Sequence, residues 1–123
     1  MMNETVVMIG AGRVATHLAQ ALRERAGLRL VQVYSRTAEH AQALAERSGG
    51  AAWTTSAEAV CTDADVYVFS LSDDALAGVA RRVPANDGLW LHTAGSVPMN
   101  VFRSRARRYG VLYPLQTFSR DRS

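Results

Sequence analysis

The segment "VVMIGAGRVATHLAQAL", residues 6–22, places two glycines between an apolar run and a stretch with helical spacing. Gly10, Gly12 and Ala15 follow the G-x-G-x-x-G/A pattern, which in a strand–turn–helix unit binds a dinucleotide pyrophosphate. The first glycine permits the tight turn, and the second lets the anion approach the backbone closely. The helix that follows offers unpaired N–H groups and the positive end of its dipole. The loop therefore predicts dinucleotide binding; the alternative is a structural turn or a loop for another ligand.

The residues after the second apolar run bear on the choice between NAD and NADP. NAD sites usually carry an acidic residue there, whereas the 2′-phosphate of NADP requires a cation and hydroxyl donors. The chain has Ser35, Arg36 and Thr37 at this point and no acidic residue before Glu39. Arg36 can stack on adenine and pair with the phosphate, and the two hydroxyls can donate hydrogen bonds to it. We predict NADP; the alternative is that Thr37 only caps a helix and Arg36 is a solvated cation.

Two later loops are expected at the same cleft, because ligands of a doubly wound sheet cross the carboxyl ends of its strands. The first loop follows residues 66–69 and supplies Ser70, Leu71, Ser72 and Asp73. The second loop supplies the predicted nicotinamide end of the site: His92, Thr93, Ala94, Gly95 and Ser96. His92 is a candidate proton donor or substrate ligand. The alternative is a histidine that only holds the loop in place.

Apolar runs and helical periods alternate along the chain, and their order predicts how these loops are positioned. Strands are predicted at residues 5–9, 30–34, 51–54, 66–69, 89–91 and 111–113. Helices are predicted at residues 13–25, from a Thr37 cap to Gly49, after Ser56, at residues 73–80, and from a Ser96 cap to residue 109. This alternation predicts an α/β protein with a doubly wound parallel sheet, the Rossmann NAD(P)-binding fold.

Periodicity also predicts which side chains form the core. The two long helices are expected to bury Val14, Leu18, Ala21 and Leu22, and Ala38, Ala41, Leu44 and Ala45. The aromatic residues expected in the core are Trp53, Tyr67, Phe69 and Trp90. Cys61 is expected to be a buried small apolar residue.

Composition excludes several classes of function. The 14 basic residues are all arginine, which removes Schiff-base lysines, the P-loop lysine and the Tyr-x-x-x-Lys pair of short-chain dehydrogenases. The net charge of +3 and an arginine cluster at residues 103–108 without interleaved aromatics do not indicate nucleic-acid binding. Three histidines and one cysteine at scattered spacings predict no metal site. The single cysteine and the lack of a long apolar run predict a soluble protein of the cytoplasm without a membrane segment.

Five segments together resemble a known family. They are "VVMIGAGRVATHLAQAL", "VYSRT", "ADVYVFSLSDDAL", "LHTAGSVPM" and "YGVLYPLQTFS". They are similar to the Rossmann-like NADP oxidoreductases that carry a C-terminal helical domain of unknown function. That family resembles the 6-phosphogluconate dehydrogenase-like superfamily, which includes pyrroline-5-carboxylate reductase and the deazaflavin-dependent NADP reductases.

The resemblance implies roles for individual residues. It assigns the pyrophosphate to Gly10, Ala11, Gly12, Arg13 and Val14. It assigns the 2′-phosphate to Ser35, Arg36 and Thr37, and the cofactor cleft to Leu71, Ser72 and Asp73. It places at the nicotinamide and substrate the catalytic candidates His92 and Ser96 together with Thr93, Gly95, Tyr113, Pro114, Gln116 and Thr117. Ala94 departs from the serine expected in "HTSGS", so a hydroxyl role is in doubt at that position.

The resemblance also implies a division of the molecule. Residues 1–118 are expected to form the NADP-binding domain, and residues 119–123 a polar tail at the start of a missing segment. Relatives of this type carry a helical domain that closes the substrate site and makes a homodimer. We therefore expect hydride transfer to or from a small-molecule substrate in the complete protein, and NADP(H) binding with weak or no turnover here. The alternatives are a non-catalytic nucleotide sensor and, less favoured without an acid after the second strand, a methyltransferase.

Overall fold

The computed structural model describes residues 4–93, 102 and 106–111, which form one parallel sheet with helices. The strands are β1 (Thr5–Ile9), β2 (Arg29–Tyr34), β3 (Ala52–Thr54), β4 (Val66–Phe69), β5 (Asn86–His92) and β6 (Ala106–Val111). The helices are α1 (Arg13–Ala26), α2 (Ala38–Arg47) and α3 (Asp73–Arg82), with a 3₁₀ helix at Ala57–Ala59. The strand order is β3-β2-β1-β4-β5-β6, and every pair is parallel. This is the doubly wound order, so the predicted fold class is confirmed.

Both faces of the sheet are buried, which explains the continuous apolar runs in its central strands. Successive side chains of a strand point to opposite faces, so β1 divides its residues between two cores. Val6 and Met8 join the core under α1 and α2, whereas Val7 and Ile9 join the core under α3.

The second core is built around Trp90 of β5. Its ring lies 5.0 Å from that of Phe69 and 5.3 Å from that of Phe102, and its indole N–H donates to Asn86 Oδ1 over 2.9 Å. Tyr67 is also fully buried, so three of the four predicted core aromatic residues are confirmed. Trp53 was predicted in the core and is 41% exposed, because β3 is a three-residue strand at the edge of the sheet. Cys61 is likewise only half-buried rather than buried.

The helical faces differ from the prediction by small rotations. In α1 the buried residues are Ala15, Leu18 and Ala19, and the predicted Val14 is 46% exposed. Ala15 packs against the sheet, as the small third position of the glycine pattern requires, and this turns Val14 outward. In α2 the residues Ala41, Leu44 and Ala45 are buried as predicted, whereas Ala38 in the first turn is exposed.

The predicted helix that runs to residue 109 is wrong over residues 106–109, which belong to β6. Leu89, Trp90 and Leu91 of β5 pair with Arg108, Tyr109 and Gly110. Pairing to the edge of a buried strand outweighs local helix preference here. Arg108 is tolerated because an edge strand can expose charged side chains. The remaining residues of that predicted helix, other than Phe102, and residues 112 and 113 lie outside the described residues.

Among the helices of the described ranges, none has both the length and the apolar character needed to cross a membrane.

The close packing of Gly88 on Tyr67 provides a test of the fold. A Cβ on Gly88 would lie 2.6 Å from Tyr67 Cε1 and 2.9 Å from the Ala64 carbonyl oxygen. The tyrosine cannot move away easily, because its hydroxyl donates to the Cys61 carbonyl and accepts from the Ala64 N–H. We expect Gly88→Ala to lower the free energy of unfolding by about 2 kcal/mol or more, measured by denaturant titration. Gly78→Ala, in open space within α3, is the control and should raise it by about 0.5 kcal/mol.

The buried Tyr67 hydroxyl predicts an alkaline loss of stability. Burial raises the pKa of Tyr67 from its ordinary value to about 12. As the pH rises, Tyr67 therefore ionises in the unfolded chain before it ionises in the folded one. The stability that the neutral hydroxyl contributes is intact below about pH 10 and is lost as the pH approaches the pKa of the folded state. We expect the free energy of unfolding to fall by about 2 kcal/mol between about pH 9 and pH 12. The chain has no lysine, but burial also raises the pKa of the Cys61 thiol, so a part of the decline should remain when Tyr67 is replaced.

The matched variants for this measurement are Tyr67→Phe and Tyr109→Phe. Tyr67→Phe is expected to start less stable by about 1–2 kcal/mol, since two hydrogen bonds are lost, and to show a smaller alkaline decline. Tyr109→Phe should retain the decline of the wild type. An equal decline in all three proteins would contradict the assignment to Tyr67.

Candidate functional site

Four central strands end in one row at the same edge of the sheet. Their last residues lie side by side in register: Tyr34, Ile9, Phe69 and His92. The next residue of each loop continues the ladder, with Gly10 N–H donating to the Tyr34 carbonyl over 2.7 Å and Ser70 N–H to that of Ile9 over 2.8 Å. Thr93 N–H donates to the Phe69 carbonyl over 3.2 Å. The predicted loops therefore leave the sheet together, as the sequence analysis expected.

Gly10 makes the close contact between the first of these loops and β4. Its φ is +114°, and a Cβ at this position would lie 2.2 Å from the Ser70 carbonyl oxygen. No other residue can be placed there without moving the backbone. The requirement for glycine at Gly10 is therefore set by the fold.

Gly12 has a different environment, since a Cβ built on it meets nothing within 4 Å and its φ is −80°. The fold itself would accept a side chain, so this glycine keeps open space directly before α1. The helix begins at Arg13 with no side-chain cap and no acidic residue in its first turn. The unpaired backbone N–H groups and the positive end of the helix dipole at such a terminus are suited to an anion.

The loop after β2 is arranged by its own hydroxyl groups. Ser35 Oγ accepts a hydrogen bond from Thr37 N–H over 3.2 Å, and Ser35 N–H donates to the Thr54 carbonyl. Thr37 occupies the N-cap position of α2, but its side chain makes no capping hydrogen bond. Thr37 is therefore the N-cap residue, as predicted, and its carbonyl accepts the Ala41 N–H, while its hydroxyl is not used for capping. Arg36 lies between the two residues and is exposed.

A cleft of about 610 Å³ connects the three loops. It is lined by Gly10, Ala11, Gly12, Ser35, Arg36, Thr37, His40, Ser70, Leu71, Ser72, Asp74, Ala75 and Val79. The structure thus brings together three of the four predicted segments: the glycine loop, the Ser35–Thr37 loop and the loop after β4. A volume of this order is typical of small-molecule and cofactor sites.

Four lining residues were not predicted: His40, Asp74, Ala75 and Val79. His40 lies one helical turn after Thr37, and the residues of α3 lie two to seven positions after Ser72. Residues three, four and seven positions apart share a helix face. Applying this helical spacing forward from the predicted residues Thr37 and Ser72 would have identified His40, Ala75 and Val79 as lining residues.

Several other predicted site residues do not line this cleft. Arg13 and Val14 are exposed at the start of α1, and Thr93 is half-buried directly after β5. Asp73 is the first residue of α3 and lies in sequence between the lining residues Ser72 and Asp74. The remaining predicted residues lie outside the described part of the chain: Ala94, Gly95, Ser96, Tyr113, Pro114, Gln116 and Thr117.

His92 is fully buried at the end of β5. Its imidazole packs edge-on against the Phe102 ring, with the centroids 5.4 Å apart. This position is compatible with a histidine that holds the strand end, and its role in proton transfer stays a prediction. Within residues 4–93, 102 and 106–111, no three His, Cys, Asp or Glu side chains form a group suited to a metal ion.

Known proteins are similar to this chain in sequence and in fold. The sequence profile described as "Shikimate / quinate 5-dehydrogenase" matches residues 1–80. A provisionally assigned NADP oxidoreductase from Bacteroides fragilis is 43% identical, with a TM-score of 0.77 over 90% of this chain and 44% of its own. 1-Pyrroline-5-carboxylate reductase from Streptococcus pyogenes, 13% identical, has a TM-score of 0.66 over 83% of this chain and 38% of its own. Prephenate dehydrogenase from A. aeolicus, solved in complex with hydroxyphenyl propionate and NAD⁺, is 20% identical. Its TM-score is 0.64, over 86% of this chain and 41% of its own.

These similarities confirm the predicted resemblance, and the two below 25% identity show the shared fold. The chain spans less than half the length of each of the three solved structures. No curated protein sequence matches it. The glycine loop, the open helix terminus and the cleft all lie within the matched residues 1–80. The chain belongs to the shikimate / quinate 5-dehydrogenase family, and it forms an NAD(P)-binding Rossmann domain.

Proposed function

We propose that this domain binds NADP(H) and supplies the cofactor half of an oxidoreductase site. The observation that carries the choice of NADP is the Ser35–Arg36–Thr37 loop at the edge of the cleft. The last residue of β2 is Tyr34, so no carboxylate occupies the position that would hold the ribose hydroxyls of NAD. Arg36 provides a cation for the 2′-phosphate, and the hydroxyls on either side can donate to it.

The rest of the cleft suits the other parts of the cofactor. The first turn of α1 would hold the pyrophosphate over Gly12, where the space for a Cβ is empty. Leu71, Ala75 and Val79 contribute apolar side chains to the lining, which suit the adenine ring. The nicotinamide would then extend along the strand ends toward β5.

Bound NADP(H) supplies hydride chemistry, and the protein supplies orientation and exclusion of water. Hydride would move between the ring and a small-molecule substrate, for which His92 and Ser96 stay the catalytic candidates and Thr93 and Gly95 ring contacts. The family match over residues 1–80 covers the whole cofactor cleft. We expect this chain alone to bind cofactor with little turnover, since the matched structures are more than twice its length.

Three further properties are part of the proposal. The resemblance to helical-domain oxidoreductases favours a homodimer. The single cysteine favours a reducing cytoplasm. The modest net charge of +3 favours a small anionic ligand over nucleic acid.

The phosphate assignment is tested by titrating the chain with NADPH and with NADH in a calorimeter. We expect the wild-type chain to bind NADPH more tightly than NADH. Arg36→Ala should lower the affinity for NADPH by about 10-fold to 100-fold, toward the affinity for NADH. NADH binding should change by about threefold or less, since it lacks the phosphate. Arg29→Ala is the matched control, because Arg29 is an exposed arginine at the opposite end of β2.

Equal losses for NADPH and NADH in Arg36→Ala would contradict a phosphate contact and point to adenine stacking alone. Absence of binding by the wild-type chain would contradict the proposed function. If longer versions of the protein also bind NADP(H) but fail to oxidise or reduce it with a range of substrates, the nucleotide-sensor alternative is favoured.

The pyrophosphate assignment predicts that Gly12 can be changed without loss of the fold. Gly12→Ala adds a Cβ into open space at an ordinary φ, so the thermal midpoint should stay close to that of the wild type. The same methyl group would occupy the pyrophosphate position, so NADPH and NADH should both weaken by about 10-fold or more. Gly10→Ala is the contrasting variant and should unfold at a lower temperature, because its Cβ overlaps the Ser70 carbonyl. Unchanged cofactor binding in Gly12→Ala would contradict this placement.

A further inference from the structure

A second cavity lies at the opposite end of β2 from the cofactor cleft. It has a volume of about 710 Å³ and is lined by the ends of α1 and α2 and by the start of β2. Arg29 and Leu30, the first two residues of β2, line it, whereas the cofactor cleft begins after Tyr34, the last one. The six residues of β2 separate the two by about 17 Å, at about 3.3 Å per residue.

Three arginines from three different elements converge on this cavity, which we call the arginine cavity. Arg23 lies in the last turn of α1, Arg29 is the first residue of β2, and Arg47 is the last residue of α2. Within the described residues the lining contains one carboxylate, Glu46, and its net charge is +2. We propose that the arginine cavity binds the phosphate group of a small phosphorylated molecule, independently of the nicotinamide cofactor.

The side chains of the arginine cavity are partly held in place by the protein. Arg23 Nη1 donates to the Arg47 carbonyl over 3.0 Å, which fixes the guanidinium between the ends of the two helices. A guanidinium has several further N–H donors, so it can hold this carbonyl and a ligand together. The Glu46 carboxylate accepts a hydrogen bond from the side-chain amide of Gln42 over 3.2 Å.

The carbonyl groups near the two helix ends would repel an anion if they were open to it. The Leu22 carbonyl of α1 accepts a hydrogen bond from Leu28 N–H over 3.2 Å. The Ala45 carbonyl of α2 accepts from Gly50 N–H over 3.0 Å, and Arg23 contacts the carbonyl of the last residue of α2. The negative ends of the helix dipoles are therefore partly compensated within the protein.

Helix capping is a simpler explanation for two of the three arginines. Cations in the last turn of a helix interact favourably with its dipole, and Arg23 and Arg47 both occupy such positions. Arg29 lies in a strand, so its charge stabilises no helix end. Arg29 is therefore the residue that distinguishes a ligand site from helix capping.

The charge and the donors of the arginine cavity fit a phosphate group. A phosphate monoester carries a charge of about −1.5 to −2 near neutral pH and has three acceptor oxygens. Three guanidinium groups offer planar pairs of donors to these oxygens, and the net charge of +2 balances the dianion. A carboxylate carries a single charge on two oxygens. The volume of the cavity leaves room for the organic part of the ligand.

The experiment is a titration of the ¹⁵N-labelled chain with sodium phosphate, followed by NMR at about pH 7.5, where phosphate is mainly a dianion. The amides of Gly27 and Gly49 report on the arginine cavity, and those of Gly10 and Gly12 report on the cofactor cleft. We expect saturable shifts of Gly27 and Gly49, half-complete at about 1–10 mM phosphate. Sodium acetate and sodium chloride at the same ionic strength should give smaller shifts that do not saturate.

Single arginine variants test the ligands. Arg29→Ala and Arg47→Ala should each weaken phosphate binding in the arginine cavity by about threefold to tenfold. Both side chains are exposed, and Arg47→Ala retains the backbone carbonyl that Arg23 contacts, so the fold is expected to persist. Arg82→Ala is the matched control, because Arg82 is an exposed arginine at the end of α3 outside the lining, and it should behave as the wild type.

Two further titrations separate the arginine cavity from the cofactor cleft. Gly12→Ala should leave the phosphate-dependent shifts of Gly27 and Gly49 unchanged, even where it weakens the cofactor. The same shifts should persist in the wild-type chain at saturating NADPH. Arg29→Ala should in turn leave NADPH affinity unchanged. Failure of NADPH to bind would contradict the proposed function alone, because the phosphate titration does not depend on it.

Several outcomes would overturn the inference. Shifts of Gly27 and Gly49 that rise linearly and match those with sodium chloride would mean that phosphate acts there by screening alone. Saturation by acetate at the same concentration would contradict the choice of a phosphate group. Loss of the shifts in Gly12→Ala, or their suppression by NADPH, would assign the binding to the cofactor cleft. Wild-type phosphate affinity in Arg29→Ala would leave the arginines with helix capping only.

Discussion

The close approach of Gly10 to the Ser70 carbonyl is the contact on which the site depends. It exists because β1 and β4 are neighbours at the point where the strand order reverses, and their ends are in register. A side chain at Gly10 would push the two loops apart and remove the floor of the cleft. The packing of the two loops and the shape of the cleft thus both depend on the absence of a Cβ atom at residue 10.

The two glycines of the loop are glycine for different physical reasons, although both match the same sequence pattern. Gly10 is required by a positive φ and a backbone contact, whereas Gly12 has an ordinary φ and open space around its missing Cβ. A glycine that the fold does not need costs conformational entropy on folding. Its presence directly before an uncapped helix is therefore better explained by a ligand than by the turn, which addresses the alternative left open by the sequence.

Prediction from sequence succeeded where local pattern and tertiary environment agree. The strand–glycine–helix unit, the loop after β2 and the buried run at residues 66–69 each carry their signal within a few residues. Prediction failed where residues distant in sequence determine the structure. Residues 106–109 form a strand because they pair with the edge of β5. Trp53 is exposed because β3 is a short strand at the edge of the sheet. His40 was missed for a different reason, since the helical period was applied to the core faces and not to the faces bordering the loops.

The arrangement separates the choice of cofactor from the choice of reaction. Residues 35–40 lie on the β2 side of the strand-order reversal and would face the adenosine end of the proposed cofactor, whereas the loops after β4 and β5 would lead toward its nicotinamide. Charge at the first position can therefore change without disturbing the second.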